Sequence, residues 1–168
     1  MADTQAMARK HRILVAAVTA LAALPFMDAR AQSATQTVHF QVNAVNQIAV
    51  SGSPSLAITT ATAGSELTSA TASGSSYAIT TNEANQKITA SINQSMPAGV
   101  TLEVSLAAPG GASSTGSVAL GTASTDVVTG ISATASSALP ITYRLNASTQ
   151  VQLAPTARTV TFTIVSGT

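Results

Sequence analysis

The chain has 168 residues, no cysteine, no tryptophan, two histidines and only 8% charged residues, with a formal net charge of +1. Without cysteine there is no disulfide framework and no thiolate metal site. So few charges leave no electrostatic footprint for nucleic acid or anionic lipid.

The first segment, "MADTQAMARKHR", groups Arg9, Lys10 and Arg12 ahead of the apolar run "ILVAAVTALAALPF" at residues 13–26. Fourteen such residues suit the core of a signal peptide and fall short of the roughly 20 that a membrane-spanning helix needs. "ARA" then sets Ala29 and Ala31 at the two small-residue positions read by a signal peptidase. The pattern predicts a signal-peptide helix within residues 1–31, cleavage between Ala31 and Gln32, and one domain over 32–168. It implies export, to the periplasm, the cell surface or the medium, with no membrane span after cleavage. Cleavage removes four of seven basic and two of six acidic residues. Lys87, Arg144 and Arg158 then stand against Glu66, Glu83, Glu103 and Asp126, a formal charge of −1.

Beyond residue 32 the branched side chains recur at every second position, the period of half-buried strands. Strands are predicted near 37–43, 45–51, 56–60, 76–81, 86–93, 100–108, 117–121, 126–131, 138–147 and 158–166. "TVHFQV" aligns Val38, Phe40 and Val42; "KITASI" aligns Ile88, Ala90 and Ile92. "VTLEVSL" aligns Val100, Leu102, Val104 and Leu106, "LPITYRL" aligns Leu139, Ile141, Tyr143 and Leu145, and "TVTFTI" aligns Val160, Phe162 and Ile164. Turn residues separate the runs at "SGSP", "NEAN", "MPAG" and "APGG". The outward positions Gln41, Thr89, Ser91, Thr101, Thr161 and Thr163 form a neutral, hydroxyl-rich face. Short strands spaced by turns predict an all-β, immunoglobulin-like, two-sheet antiparallel sandwich. Four aromatic residues after position 31 are too few for the two girdles of an outer-membrane barrel.

Catalytic constellations are thin. A nucleophilic triad needs an acid–base residue, usually histidine, and the only histidine after the leader, His39, lies between Val38 and Phe40 on the opposite side of their strand. The four carboxylates show no spacing that pairs them for acid–base work, and no Asp/Asn run suits a calcium loop. The glycine-containing turns lack the lysine of a phosphate loop. No enzyme activity, cofactor or metal is expected.

The signal peptide ending "ARAQ", the alternating "TVHFQV" behind it and the closing "RTVTFTIVSG" resemble secreted β-sandwich proteins of bacteria and, distantly, fimbrial (pilin-like) subunits. These features touch about a quarter of the mature chain. Fimbrial subunits borrow a strand from a neighbour's N-terminal arm, a form of strand addition. The resemblance implies that Val38, Phe40 and Val42 enter a groove beside Val160, Phe162 and Ile164 of the next subunit. Ten predicted strands suffice for a complete sandwich, so the residues alone favour both segments as strands of one self-contained sandwich, where they can be neighbours. The expected function is a non-enzymatic surface or matrix subunit, self-associating or bound to another surface protein. The alternative is an extracellular binding module, an adhesin or a carbohydrate- or protein-binding sandwich, with its ligand at loops 61–75 or 109–116. N-terminal sequencing of exported protein is expected to begin at Gln32; a chain retaining residues 1–31 would overturn the leader.

Overall fold

The computed structural model describes residues 32–152 and 154–167. The signal-peptide helix expected within 1–31 lies outside the described residues. The chain divides into two units, Met1–Phe40 and Gln41–Thr168. In the first, residues 32–40 are exposed and form no strand.

The second unit is all-β. Its strands are β1 (Asn46–Ser51), β2 (Ala70–Thr81), β3 (Gln86–Ile92), β4 (Val100–Leu106), β5 (Ser113–Ser114), β6 (Val118–Ala119), β7 (Thr125–Ile131), β8 (Thr134–Ala147) and β9 (Val160–Ser166). One sheet has the order β1-β2-β8-β4-β6 and the other β5-β7-β3-β9, and every paired strand is antiparallel. Two antiparallel sheets packed face to face make a β-sandwich. Its β1-β2-β8-β4 row follows the A-B-E-D order of immunoglobulin sandwiches, and β3-β9 takes the place of their C-F pair. No helix among the described residues is long and apolar enough to cross a membrane.

Alternation places the core where the sequence pattern points. In β4, Val100, Leu102, Val104 and Leu106 are buried, while Thr101 is exposed and Glu103 and Ser105 are half-buried. Ile88, Val127, Val128, Ile131 and Ile141 are fully sealed, and Tyr77 and Tyr143 join them. Tyr77 keeps its hydroxyl satisfied by donating to the Ala107 carbonyl at 2.6 Å. Val127 and Val128 are neighbours yet both buried. A register shift beside Ile88 supplies an extra residue on β7, which turns both side chains inward.

Several expected elements differ. Residues 37–43 make no ladder hydrogen bonds and are not a strand, and β1 begins at Asn46. Residues 56–60 form no strand either; Leu56 and Ile58 are half-buried, and the only pairing nearby is an isolated bridge between Ala61 and Leu67. Two strands are longer than their apolar pattern. β2 starts at Ala70 because Ala70–Ala72 pair with Tyr143–Leu145, and β8 starts at Thr134 because Thr134–Ser136 pair with Ile79–Thr81. Pro140 sits inside β8 without breaking it. The ladder to β4 stops at Leu106↔Ile141, and a register shift lies just upstream, so no pairing is lost for want of its N–H.

Burial pushes the Tyr77 hydroxyl up to about 12 and raises that of Tyr143. A phenol with a raised folded value holds its proton after the unfolded chain has lost it. Stability is therefore full below about pH 10, where both states are protonated, and falls as pH climbs from there toward 12. Denaturant melts across that window are expected to show the decline, with a smaller slope in Tyr77→Phe; an identical slope in the variant would refute the assignment.

Candidate functional site

Strand β9 is the outer strand of the four-stranded sheet. On one side it makes a complete ladder with β3, from Ile92↔Val160 to Gln86↔Ser166. On the other side, no strand among the described residues pairs with it. Immunoglobulin sandwiches carry strand G at that position.

The incomplete flank exposes apolar surface. Val160, Phe162 and Ile164 point toward the core and pack against it but remain half-buried. Across the sheet interface β1, also an outermost strand, approaches β9. Ile48 on β1 is half-buried and Val50 is 49% exposed, although its partner Tyr77 is only 1% exposed. The inner faces of the two sheets are thus well covered in the middle and open along the β1–β9 flank.

Both ends of β9 are held. At its start, Thr159 N–H donates to Asn93 Oδ1 at 2.9 Å and Asn93 N–H donates to the Thr159 carbonyl at 3.1 Å. The Arg158 guanidinium donates Nε and Nη2 to the Ser95 carbonyl at 3.2 and 3.0 Å. At its end, Gly167 N–H donates to the Asn85 carbonyl at 2.6 Å. A Cβ on Gly167 would stand 2.7 Å from that same oxygen, so only glycine permits the approach. An outer strand fixed at both ends presents its free N–H and C=O groups in regular order, the condition for strand addition.

The other candidate residues are placed as follows. Val38, Phe40 and Val42 are 69%, 92% and 83% exposed. The three alternate with His39 and Gln41 in the sequence, so a strand conformation would set them on one side as an apolar row. Single exposed apolar residues are ordinary; three large ones in a row are not. The row and the β9 residues are matched in spacing, both at i, i+2 and i+4.

The titratable groups are dispersed. His39 is exposed. Glu66 accepts from Thr149 N–H, Glu83 from the Asn46 amide and Glu103 from the Ser117 hydroxyl. Asp126 pairs with Lys87 at 3.2 Å on the outer face, partly exposed and of small energetic weight. Among the described residues no three His, Asp or Glu side chains converge on a metal position. A surface depression between residues 53–55 and 71–75 is lined by serine and threonine hydroxyls and holds no charged or aromatic side chain. The hydroxyl-rich outer face is present at Thr101, Thr161 and Thr163, whereas Thr89, in the interior of its sheet, is buried by its flanking strands.

No protein family, curated protein or solved structure matches the chain.

The half-exposed β9 residues are expected to contribute less than the sealed core. In dilute monomeric protein, Ile88→Ala should cost about 2–5 kcal/mol and Phe162→Ala about 2 kcal/mol or less, read from urea unfolding. A Phe162→Ala cost above that of Ile88→Ala would mean the flank is closed.

Proposed function

We propose that this chain is a non-enzymatic structural subunit of an exported assembly, at the cell surface or in its matrix, in which copies join by strand addition. The arm of one copy, residues 32–43, lies along β9 of the next. Val38, Phe40 and Val42 then cover Val160, Phe162 and Ile164, and the arm takes the position that immunoglobulin sandwiches give to strand G.

One observation carries this reading: the outer edge of β9 has no strand partner among the described residues, is held at both ends and is half-covered on its apolar face. The occupant suggested is another copy because the same chain carries an exposed apolar row of matching spacing. Burying a valine or phenylalanine side chain is worth roughly 1.5–3 kcal/mol each, and main-chain hydrogen bonds to an existing sheet edge add affinity without a shaped pocket. A near-neutral surface of Thr, Ser and Gln lets copies approach without charge repulsion. The leader pattern supports export, and the similarity of the two end segments to those of fimbrial subunits agrees with assembly.

Size-exclusion chromatography with light scattering on residues 32–168 and 44–168 tests the proposal. Concentration-dependent polymers are expected from the longer chain and folded monomers from the shorter. Phe40→Asp is expected to block polymers while leaving the unfolding midpoint of the monomer unchanged. A longer chain that stays monomeric at every concentration, or a shorter one that polymerises equally, would overturn it and direct attention to ligands at the loops.

A further inference from the structure

The stretch that joins the arm to β1 is held by three consecutive residues, Thr81 at the end of β2 and Asn82 and Glu83 in the β2–β3 connection. Asn82 Nδ2 donates to the Asn43 carbonyl at 2.8 Å, and Asn82 Oδ1 accepts from Val45 N–H at 2.8 Å. Asn82 N–H reaches the Val45 carbonyl at 3.3 Å. One residue further, Thr81 Oγ1 donates to Asn46 Oδ1 at 2.6 Å, and Asn46 Nδ2 donates to Glu83. The Asn82 side chain serves residues 43 and 45 as a paired strand would, beyond the point where the β1–β2 ladder ends at Asn46↔Thr81.

Asparagine is specifically suited to this. A primary amide donates and accepts at once, whereas aspartate only accepts and serine has a shorter reach. Asn82 is exposed, so the clamp is not needed to seal the core. Its position is the informative part. The first clamped group, the Asn43 carbonyl, follows Val42 directly, and Val42 is the last residue of the apolar row.

We propose that Asn82 makes a stiff joint between successive copies. The inference rests on the strand-addition reading above. When Val38, Phe40 and Val42 are seated on one copy, the next residue is already fixed to the body of its own copy. No free residue separates the two bodies. Flexible linkers spread their ends with the square root of their length, and here that length is zero. Releasing the Asn43 carbonyl and the Val45 N–H would insert a two-residue swivel, residues 43 and 44, ahead of the Val45 carbonyl that the Asn82 N–H still holds. Asn82 is thus a positioning residue for the assembly, acting through the root of the arm without touching the groove.

Two variants test this in the full mature chain. Asn82→Leu keeps the size and removes both side-chain hydrogen bonds. Asn82→Asp keeps the acceptor for Val45 N–H, loses the donor and sets a carboxylate against the Asn43 carbonyl. Amide hydrogen exchange in dilute monomer is expected to show Val45 exchanging at least about tenfold faster in Asn82→Leu, with core amides unchanged. Unchanged Val45 exchange would overturn the clamp. In electron micrographs, polymers of Asn82→Leu are expected to form as readily as those of the unaltered protein but to bend, with a persistence length reduced severalfold and an intermediate value for Asn82→Asp. Equal stiffness alongside faster Val45 exchange would overturn the joint and leave strand addition standing. Failure of the unaltered protein to polymerise, with Val45 still protected by Asn82, would overturn strand addition and the joint together.

Discussion

Everything in this molecule depends on two sheets closing over a core of mid-sized aliphatic side chains. Ile79, Ile88, Val104, Leu106, Val127 and Ile141 are almost wholly removed from water. There is no cystine to tie the layers together and no tryptophan to fill a gap between them. The fold must therefore be held by close packing of branched side chains and by ladders that satisfy the backbone. Tyr77 and Tyr143 bring polar tips into that core, and the Tyr77 hydroxyl is tolerated there because a carbonyl on the β4–β5 connection accepts it. Coverage is incomplete on the flank where β1 and β9 meet, and the apolar faces of Val50, Phe162 and Ile164 are left partly wet.

The fold class was legible because burial and strand period leave the same mark. In β3, β4 and β9 an apolar residue recurs at every second position, and those strands lie within one or two residues of their expected bounds. Where pairing alone makes the strand, the pattern is silent. Residues 70–75 read Ala, Thr, Ala, Ser, Gly and Ser, with no large apolar side chain, and extend β2 because β8 lies alongside. β5 is two serines. The converse error has the same origin. "TVHFQV" has a perfect strand alternation, yet alternation records an apolar side and not the presence of a partner for the backbone.

The candidate site was half visible. The apolar rows at 38, 40, 42 and at 160, 162, 164 can be read from the sequence directly. That β9 is outermost cannot, since strand order is set by connections between segments distant in the chain. Asn82 was hidden for a different reason. "NEAN" announces a tight reversal, and its asparagines suit one. Nothing in a local pattern tells that one of these amides reaches back 37 residues to Val45, or that Asn85 and Arg158 secure the two ends of β9.

The two flanks of the sandwich are unlike. At one, the sheets end in β1 and β9, of six and seven residues; at the other they end in β5 and β6, of two residues each. A two-residue stub offers too few free backbone groups to template a foreign strand, and a long flat edge offers many. Lateral stacking of the kind that builds plaques needs templating margins on both sides of the unit. With one margin shortened to a stub, sheet-to-sheet growth has a single direction available, so disordered two-dimensional aggregation is disfavoured by the strand lengths themselves, in a protein with too few charges to prevent it by repulsion.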